Sequence, residues 1–559
     1  MTLLAAQTSA PRWRVAVAVM LATVMVILDM TIVNVALPHM MGALGATANQ
    51  ITWVLTAYIV TEAVFIPLTG IFSARLGRRR LMLISVAGFI VASALCGQAE
   101  SLAEMVLFRL LQGAFGAAVV PLSQAIMVDS FPANERGKAM ALWGVGIMLG
   151  PILGPTLGGY ITQHLDWRWV FYINVPVGVV NFVMIARLIT GGPARAARAD
   201  WLGALLLAVG VGSLQTLLDR GNQEGWFQAQ LVVALAAASL IGLVWFVVRA
   251  WKRQDSVLQL QLLKDRNLAA ASFMMAVFGM GLFGVIALQP LMLERLFDYP
   301  AQTAGLVMAP RGLASAVGMF VVSRLIQRVG APRLILVGLM LAASGTCLMT
   351  WYSLSLQLYW LIWPGVVQGL GMGMIFVSLS TIAYNTLPAG ATDQGAAIFN
   401  LARTVGSAMG ISVAATVLTR MTQTNWNRLG GHINPFNPAL QQWLATSQLS
   451  LSDPLTPRLL ASELGRHAGM LGFIDAYWFI MWSLLVLAPL LLVLRHRPGS
   501  DVSAAKRNTK PDADARNCGV RVHPPGDRVR PSNAACRAQQ REKRAAVNSI
   551  THDSGNIPS

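Results

Sequence analysis

The chain reads as an all-α polytopic membrane protein, two bundles of six spanning helices with two further helices inserted between them. Three observations lead there. Of 559 residues, 55% are hydrophobic and only 12% are charged, against about 25% charged in soluble domains. The apolar residues collect into fourteen runs, each near the ~20 residues that a helix needs to cross a bilayer. Short patterns in the first half of the chain return in the second at an almost constant spacing.

The runs are roughly 14–37, 51–73, 81–98, 103–127, 139–161, 168–189, 201–218, 229–249, 268–293, 303–326, 333–352, 358–384, 396–418 and 473–494. The first is too long for a signal-peptide core and carries polar residues, so it reads as span 1 rather than a cleaved leader. The connections alternate in charge. One side carries Arg12 and Arg14, then Arg75, Arg78, Arg79 and Arg80, Arg136 and Lys138, Arg195 and Arg198, Lys252, Arg253, Lys264 and Arg266, and Arg328 and Arg333. The short loops of the other side carry only Arg168, Arg220 and Arg295, all at span ends. The positive-inside rule then puts both termini in the cytoplasm of a multi-pass protein of the cell inner (cytoplasmic) membrane. A net charge of +18 has its source in these loops and in a basic tail, so no nucleic-acid partner is expected.

Two stretches fall outside the spans. The segment 420–470 is polar and reads as a long loop on the non-cytoplasmic side, and loops of that length are functional or disordered. The basic residues from Gly499 lack an apolar period and read as a disordered cytoplasmic tail. Cys96 and Cys347 lie in spans and Cys518 and Cys536 in the tail, without metal-site spacing. There is no phosphate-binding Gly-Lys loop, dinucleotide fingerprint or metal cluster. The expectation is a chain without cofactor or metal, not an enzyme.

The repeat sets the domain organisation. Gly70-x-x-x-Ala74-Arg75-x-Gly77-Arg78 after span 2 returns as Ser323-x-x-x-Gln327-Arg328-x-Gly330 after span 10, offset by 253. Gln112-Gly113 matches Gln368-Gly369, and Gly150 and Gly154 match Gly406 and Gly410, both offset by 256. Boundaries follow at 1–190 for the N-terminal bundle, 191–267 for the linker with two inserted spans, 268–498 for the C-terminal bundle with the 420–470 loop, and 499–559 for the tail. Parallel repeats of this kind mark transporters.

Ionisable residues inside apolar spans are functional hypotheses by default. Asp29 lies ~22 Å along span 1 from Arg14, and Arg109 ~9 Å from the outer end of span 4. In a core ~30 Å thick the two share a depth. They can pair or compete for a proton; the alternative is an outer-end ion pair or helix cap with no transport role. Glu62 sits near the midplane in span 2 and must be neutral or paired. It suits reversible protonation, or else donates one structural hydrogen bond. Gly70, Arg75, Gly77, Arg78 and Arg79 give a tight turn and a basic cluster that can hold the halves together and release them, or that only sets topology. Gly150, Pro151, Gly154, Pro155, Gly158 and Gly159 place two Gly-Pro pairs and a Gly-Gly in one span. In water each Pro would cost ~3 kcal/mol; in a bilayer such a helix predicts close neighbours on several sides and a bend.

Several polar residues are candidates for a substrate cavity: Asn34, Gln112, Gln289, Gln368, Met372, Asn400 and Arg403. Arg109, Gln112, Gly113 and Gly116 share a helical face. Arg403 reaches inward or snorkels to the nearer surface. Met274, Met275, Phe278, Phe283, Met372, Met374 and Phe376 suit a surface that repacks around varied ligands, or are ordinary packing.

At these residues the sequence resembles the major facilitator superfamily, and within it the fourteen-spanner drug:proton antiporters of the EmrB/QacA type. The likeness runs over about 13–495. It is carried by Asp29-x-Thr31-x-x-Asn34-Val35-Ala36-Leu37-Pro38, the loop Gly70 to Arg80, Arg109-x-x-Gln112-Gly113 and Gly154-Pro155-x-x-Gly158-Gly159. Trp167-Arg168-Trp169-x-Phe171-x-Ile173-Asn174-x-Pro176-x-Gly178 and Leu218-Asp219-Arg220-Gly221 before Trp226-Phe227 continue it. The resemblance implies proton coupling at Asp29 and Arg109, an antiporter motif at Gly150–Gly159, and gating by the loop after span 2. It also implies export of a lipophilic small molecule driven by the proton gradient, and in Gram-negative bacteria work with a periplasmic membrane-fusion adaptor and an outer-membrane channel. One departure stands out: the family's loop has an acid where Ala74 and Gln327 stand. The expected function is proton-coupled efflux of drugs or small molecules. Metabolite uptake or export on the same fold, and a non-transporting sensor or scaffold, are the rivals.

Overall fold

A computed structural model describes residues 12–132, 135–190, 200–253, 256–387, 391–447, 450, 453 and 455–493. The tail 499–559 with Cys518 and Cys536, Arg195 and Arg198, and the side chains of Pro151 and Pro155 lie outside the described residues.

Among the described residues, fourteen long helices carry the fold. They are α1 (Arg12–Ala43), α2 (Trp53–Leu76), α3 (Arg78–Gln98), α4 (Leu102–Ser130), α5 (Arg136–His164), α6 (Trp169–Leu188), α7 (Trp201–Arg220) and α8 (Gln230–Lys252). Then follow α9 (Arg266–Leu296), α10 (Gln302–Val329), α11 (Ala331–Met349), α12 (Leu358–Asn385), α13 (Thr392–Gly430) and α14 (Leu455–Leu491). Helices are the regular elements of choice here because lipid offers no partner for backbone N–H and C=O groups. The least buried is α8, with 22% of its apolar window inside the protein, whereas α12 has 83% inside. Uniform apolarity thus hides two environments, lipid and protein core.

Each half repeats one packing plan. In the N-terminal bundle α1 packs on α5, α2 on α4, and α3 on both α4 and α6. In the C-terminal bundle α9 packs on α13, α10 on α12, and α11 on both α12 and α14. The halves meet along two symmetry-related seams, α5 against α10 and α13 against α2 and the end of α4. The inserted α7 and α8 pair with each other, and α7 leans on α2 and α13. The repeated turns have the same backbone: Gly77 and Gly330 join their helix pairs at φ +78° and +87°, where a side chain would be strained.

The Gly-rich stretch forms a seam rather than a break. Helix α5 is continuous from Arg136 to His164, so the bend expected from its prolines does not interrupt it. A Cβ at Gly150 would meet Ile27 at 2.5 Å, one at Gly154 would overlap Thr31, and one at Gly158 would meet the carbonyl of Ile32 at 3.0 Å. Three glycines four residues apart therefore let α1 lie directly on α5. Thr31 Oγ1 donates to the Gly150 carbonyl at 2.9 Å. Gly159 faces elsewhere; a Cβ there would lie 3.6 Å from Gln302 of the other half. In the second copy Gly406 and Gly410 sit against the backbone carbonyls of Ala276 and Met280 on α9.

The segment 420–470 differs from expectation. Instead of one long loop, α13 runs on to Gly430, a short helix spans Pro438–Thr446, and α14 starts at Leu455. The 39 residues of α13 make ~58 Å at 1.5 Å per residue, well beyond a ~30 Å core. The polar extensions stay helical because they cover one another: Asn425 donates to Asp475 at 3.0 Å, and Gly472 lets α14 approach Thr422.

The seams give a stability prediction. Gly406→Leu must displace α9 backbone rather than a flexible side chain, so it should cost about 1–3 kcal/mol or more and lower the melting temperature of the detergent-purified protein. Gly159→Ala, which meets only ordinary van der Waals contact, should leave melting unchanged. Equal melting of wild type and Gly406→Leu would show that the seam is loose.

Candidate functional site

The densest polar cluster inside the membrane region is built on Asp29. Asp29 and Arg109 are both fully buried, and Arg109 Nη1 lies 2.6 Å from Asp29 Oδ2. The other carboxylate oxygen accepts from Gln112 Nε2 at 2.9 Å and Asn174 Nδ2 at 2.8 Å. Arg109 Nη1 also donates to Gln112 Oε1 at 2.7 Å, and its Nε to the Val54 carbonyl at 3.0 Å. Its guanidinium lies 4.3 Å from the Tyr58 ring centre. Asn174 is steadied by Ser93, which donates in turn to the Phe171 carbonyl. Charges buried this deeply persist only when paired and hydrogen-bonded, and here α1, α2, α4 and α6 all contribute. Asn174 was not among the expected site residues, although it lies within a quoted motif. A lone Asn near a span end gives no signal by itself.

Glu62 is buried on α2, in the electrostatic field of Arg403 from the other half and of Arg109 and Asp29 from its own. Arg403 stands on α13 near Tyr384, with a buried Nε lacking a partner. Its side chain is half-buried and lies in the electrostatic field of Glu62 of the other half. Close by, Asn400 Nδ2 bridges the halves to Gln124 Oε1 at 2.6 Å.

A second cluster sits where the basic loop meets α13. Arg78 forms ion pairs with Asp129 of α4 at 2.7 Å and Asp393 of α13 at 2.8 Å. Ser73 donates to Asp393 at 2.6 Å, and Thr392 to Asp129 at 3.1 Å. Gly70 leaves room for Gln394. Ala74 carries no charge, and the acid that meets this loop from the opposite half is Asp393. The other basic residues of the loop do different work. Arg79 Nη2 ties α3 to the Ala186 carbonyl of α6 at 2.7 Å, and Arg75 lies over the Trp201 ring of the inserted α7. Asp129 and Asp393 escaped the sequence reading because acids at helix ends look like caps.

The expected cavity residues divide. Met372 lines a narrow cleft between the halves with a cavity volume of about 30 Å³. Gln289 lies beside it, accepting from Arg311 at 3.4 Å. Gln112 is spent on Asp29, and Gln368 donates to Thr346 of α11 at 2.8 Å. Asn34 is exposed and bonds to its own helix at Met30. Arg311 itself was missed, although an Arg nine residues inside an apolar span should have drawn attention. Among the described residues no cluster of His, Cys, Asp and Glu could hold a metal ion.

Comparison with known proteins agrees with this architecture. The profile of the Major Facilitator Superfamily matches residues 19–411. The multidrug export protein EmrB of Haemophilus influenzae is 33% identical over 473 residues, covering 82% of this chain and 91% of that one. The fatty acid resistance protein FarB of Neisseria gonorrhoeae is 31% identical over 474 residues, covering 84% and 94%. The crystal structure of the human organic anion transporter MFSD10 superposes with a TM-score of 0.58 at 17% identity, over 86% of this chain and 100% of that one, a likeness of fold alone. With fourteen long helices among the described residues, twelve of them in two repeated bundles, and a family profile over residues 19–411, the chain belongs to the Major Facilitator Superfamily.

Proposed function

We propose that this protein is a proton-coupled efflux transporter for lipophilic small molecules, with both termini in the cytoplasm. The outward direction and the substrate class rest on relatives whose names describe multidrug export and resistance. The single observation that carries proton coupling is the carboxylate of Asp29, buried in the bilayer region and held by three side-chain donors. A proton arriving from outside on Asp29 Oδ2 takes the place of Arg109, while Oδ1 still accepts from Gln112 and Asn174. Arg109 is left on Gln112 and the Val54 carbonyl, which weakens the tie between α1 and α4. Glu62, facing Arg403 across the seam, then passes the change to the other half. One proton entering across 100 mV is worth ~2.3 kcal/mol, about fiftyfold in substrate gradient. Coupling requires that proton and substrate favour different states.

The Arg78 cluster is the gate in this reading. It bridges the halves at the basic end, so the closed state at that end is the one stabilised. The orientation rests on the basic loops, and the cytoplasmic membrane as the location follows from it. Beyond the opposite face project α13 and α14, and we propose that this hairpin meets a periplasmic adaptor. Deleting residues 431–454 should then abolish co-purification of the adaptor while leaving the membrane bundle folded; retained co-purification would place the contact elsewhere.

Two further outcomes test the mechanism. In inverted vesicles, Asp29→Asn should abolish gradient-driven transport, a loss of about fiftyfold in accumulation per 100 mV, while downhill substrate exchange persists. Uphill pumping by a monodisperse Asp29→Asn protein would move the proton site elsewhere. Asp393→Asn should weaken the latch by about 1 kcal/mol, roughly fivefold in the ratio of closed to open basic end. Spin-label distances across that end would report the shift, and an unchanged distribution would reduce the cluster to a topological signal.

A further inference from the structure

The two bundles share a frame but not its charges. Gly113 of α4 packs on the backbone of Tyr58, and Gly369 of α12 packs on the backbone of Arg311. Tyr58 in the first bundle is therefore matched by Arg311 in the second. Four residues before each glycine stand Arg109 and Gly365, so the guanidinium has moved from one helix of the pair to the other. Gly150 rests on Ile27 and Gly406 on Ala276, which sets Phe278 where Asp29 would be. The second bundle thus keeps a buried Arg and lacks the acid that neutralises its counterpart.

Arg311 is 6% exposed. Among the described residues it makes no ion pair; its contacts are long, 3.4 Å to Gln289 Oε1 and 3.5 Å to the Leu282 carbonyl. The nearby titratable groups are the hydroxyls of Tyr352 and Tyr477, both engaged, with the Leu361 carbonyl and Met292 Sδ. One turn along α10 stands Ser315, 3% exposed, whose buried Oγ has no hydrogen-bond partner. Both residues line the cleft between the halves, opposite Met148 of α5 and beside Leu282, Met308 and Met372. A buried cation without a counter-ion is costly, and an unpaired buried hydroxyl adds to that cost. Two such groups on one face of one helix, aimed into a thioether-lined cleft that can widen by rotamer changes, describe a receptor for an anion with an apolar body.

We infer that Arg311 and Ser315 bind the carboxylate of an amphipathic organic anion, whose apolar part lies among the methionines of the cleft. The inference deepens the efflux reading by assigning its substrate a charge and a site. A guanidinium can grip a carboxylate with two parallel N–H donors, and the Ser315 hydroxyl donates a further bond. Because Met148 belongs to the first bundle, the bound anion touches both halves, the position from which it can bias their rocking.

The test uses purified full-length protein in nanodiscs of zwitterionic lipid, which removes anionic headgroups as a competing source. Radiolabelled decanoate and its cationic match, decyltrimethylammonium, are titrated at pH 7.5, where the acid is ionised. Wild type should bind decanoate saturably. Arg311→Gln should weaken decanoate about 10- to 100-fold and leave the cation unweakened. Arg311→Lys, which keeps the charge but loses the fork, should fall between, and Ser315→Ala should weaken decanoate a few-fold. The absence of saturable decanoate binding by wild type, unchanged affinity in Arg311→Gln, or equal loss for both amphiphiles would overturn the assignment. Should Arg311→Gln not fold, unchanged decanoate affinity in both Arg311→Lys and Ser315→Ala has the same force. Binding is read without transport, so failure of this site and failure of the efflux reading are separate results.

Discussion

A carboxylate in the middle of a bilayer has to be neutralised, and the first bundle is arranged around the way Asp29 meets that demand. Its partners come from three other helices: Arg109 and Gln112 from α4, Asn174 from α6 and, through Arg109, the Val54 carbonyl of α2. Bringing four backbones close enough for such bonds requires small residues where they cross. Gly113 does this where α4 crosses α2, and Gly150, Gly154 and Gly158 set α5 against the same α1 that carries Asp29. The glycines and the charge pair are one device. The first sets how near the helices lie, and the second makes separation unfavourable.

Duplication then supplies contrast. The second bundle reuses the seams, with Gly406 and Gly410 on α9 and Gly369 on α10, but carries Phe278 and Arg311 where the first has Asp29 and Tyr58. One half thus holds a neutralised ion pair and the other an uncompensated cation at the shared cleft. Among the described residues the polar contacts between halves include Arg78 and Ser73 with Asp393, Thr392 with Asp129, and Asn400 with Gln124. Few, directional contacts across a seam suit two bodies that part and rejoin, since each can be released without exposing a large apolar face. Asp393 places its negative charge on the half opposite Arg78, so that the pair bridges the halves.

Much of this was legible in the sequence, and the boundary has a physical cause. The spans, the alternation of basic loops, the repeat at offsets of 253 and 256, and the marking of Asp29, Glu62, Arg109 and Gly150–Gly159 all come from composition, spacing and the cost of charge in lipid. These are local properties, set by how each segment partitions between water and bilayer. The extension of α13 through a polar segment was not legible, because its helicity depends on cover from α14. The partners of Arg78 were not legible either: Arg78 and Asp393 are 315 residues apart, and nothing in the chain's order says which helix ends meet. Arg311 stands between the two cases. Its presence in an apolar span was plain, but its meaning was not. Only the packing of Gly369 on its backbone shows that it occupies the place of Tyr58 without an acid beside it. The sequence by itself determined which segments enter the membrane and which charges must find partners there. Tertiary structure decided the partners, because pairing depends on which helices approach closely, and that is set by glycine seams between segments far apart in the chain.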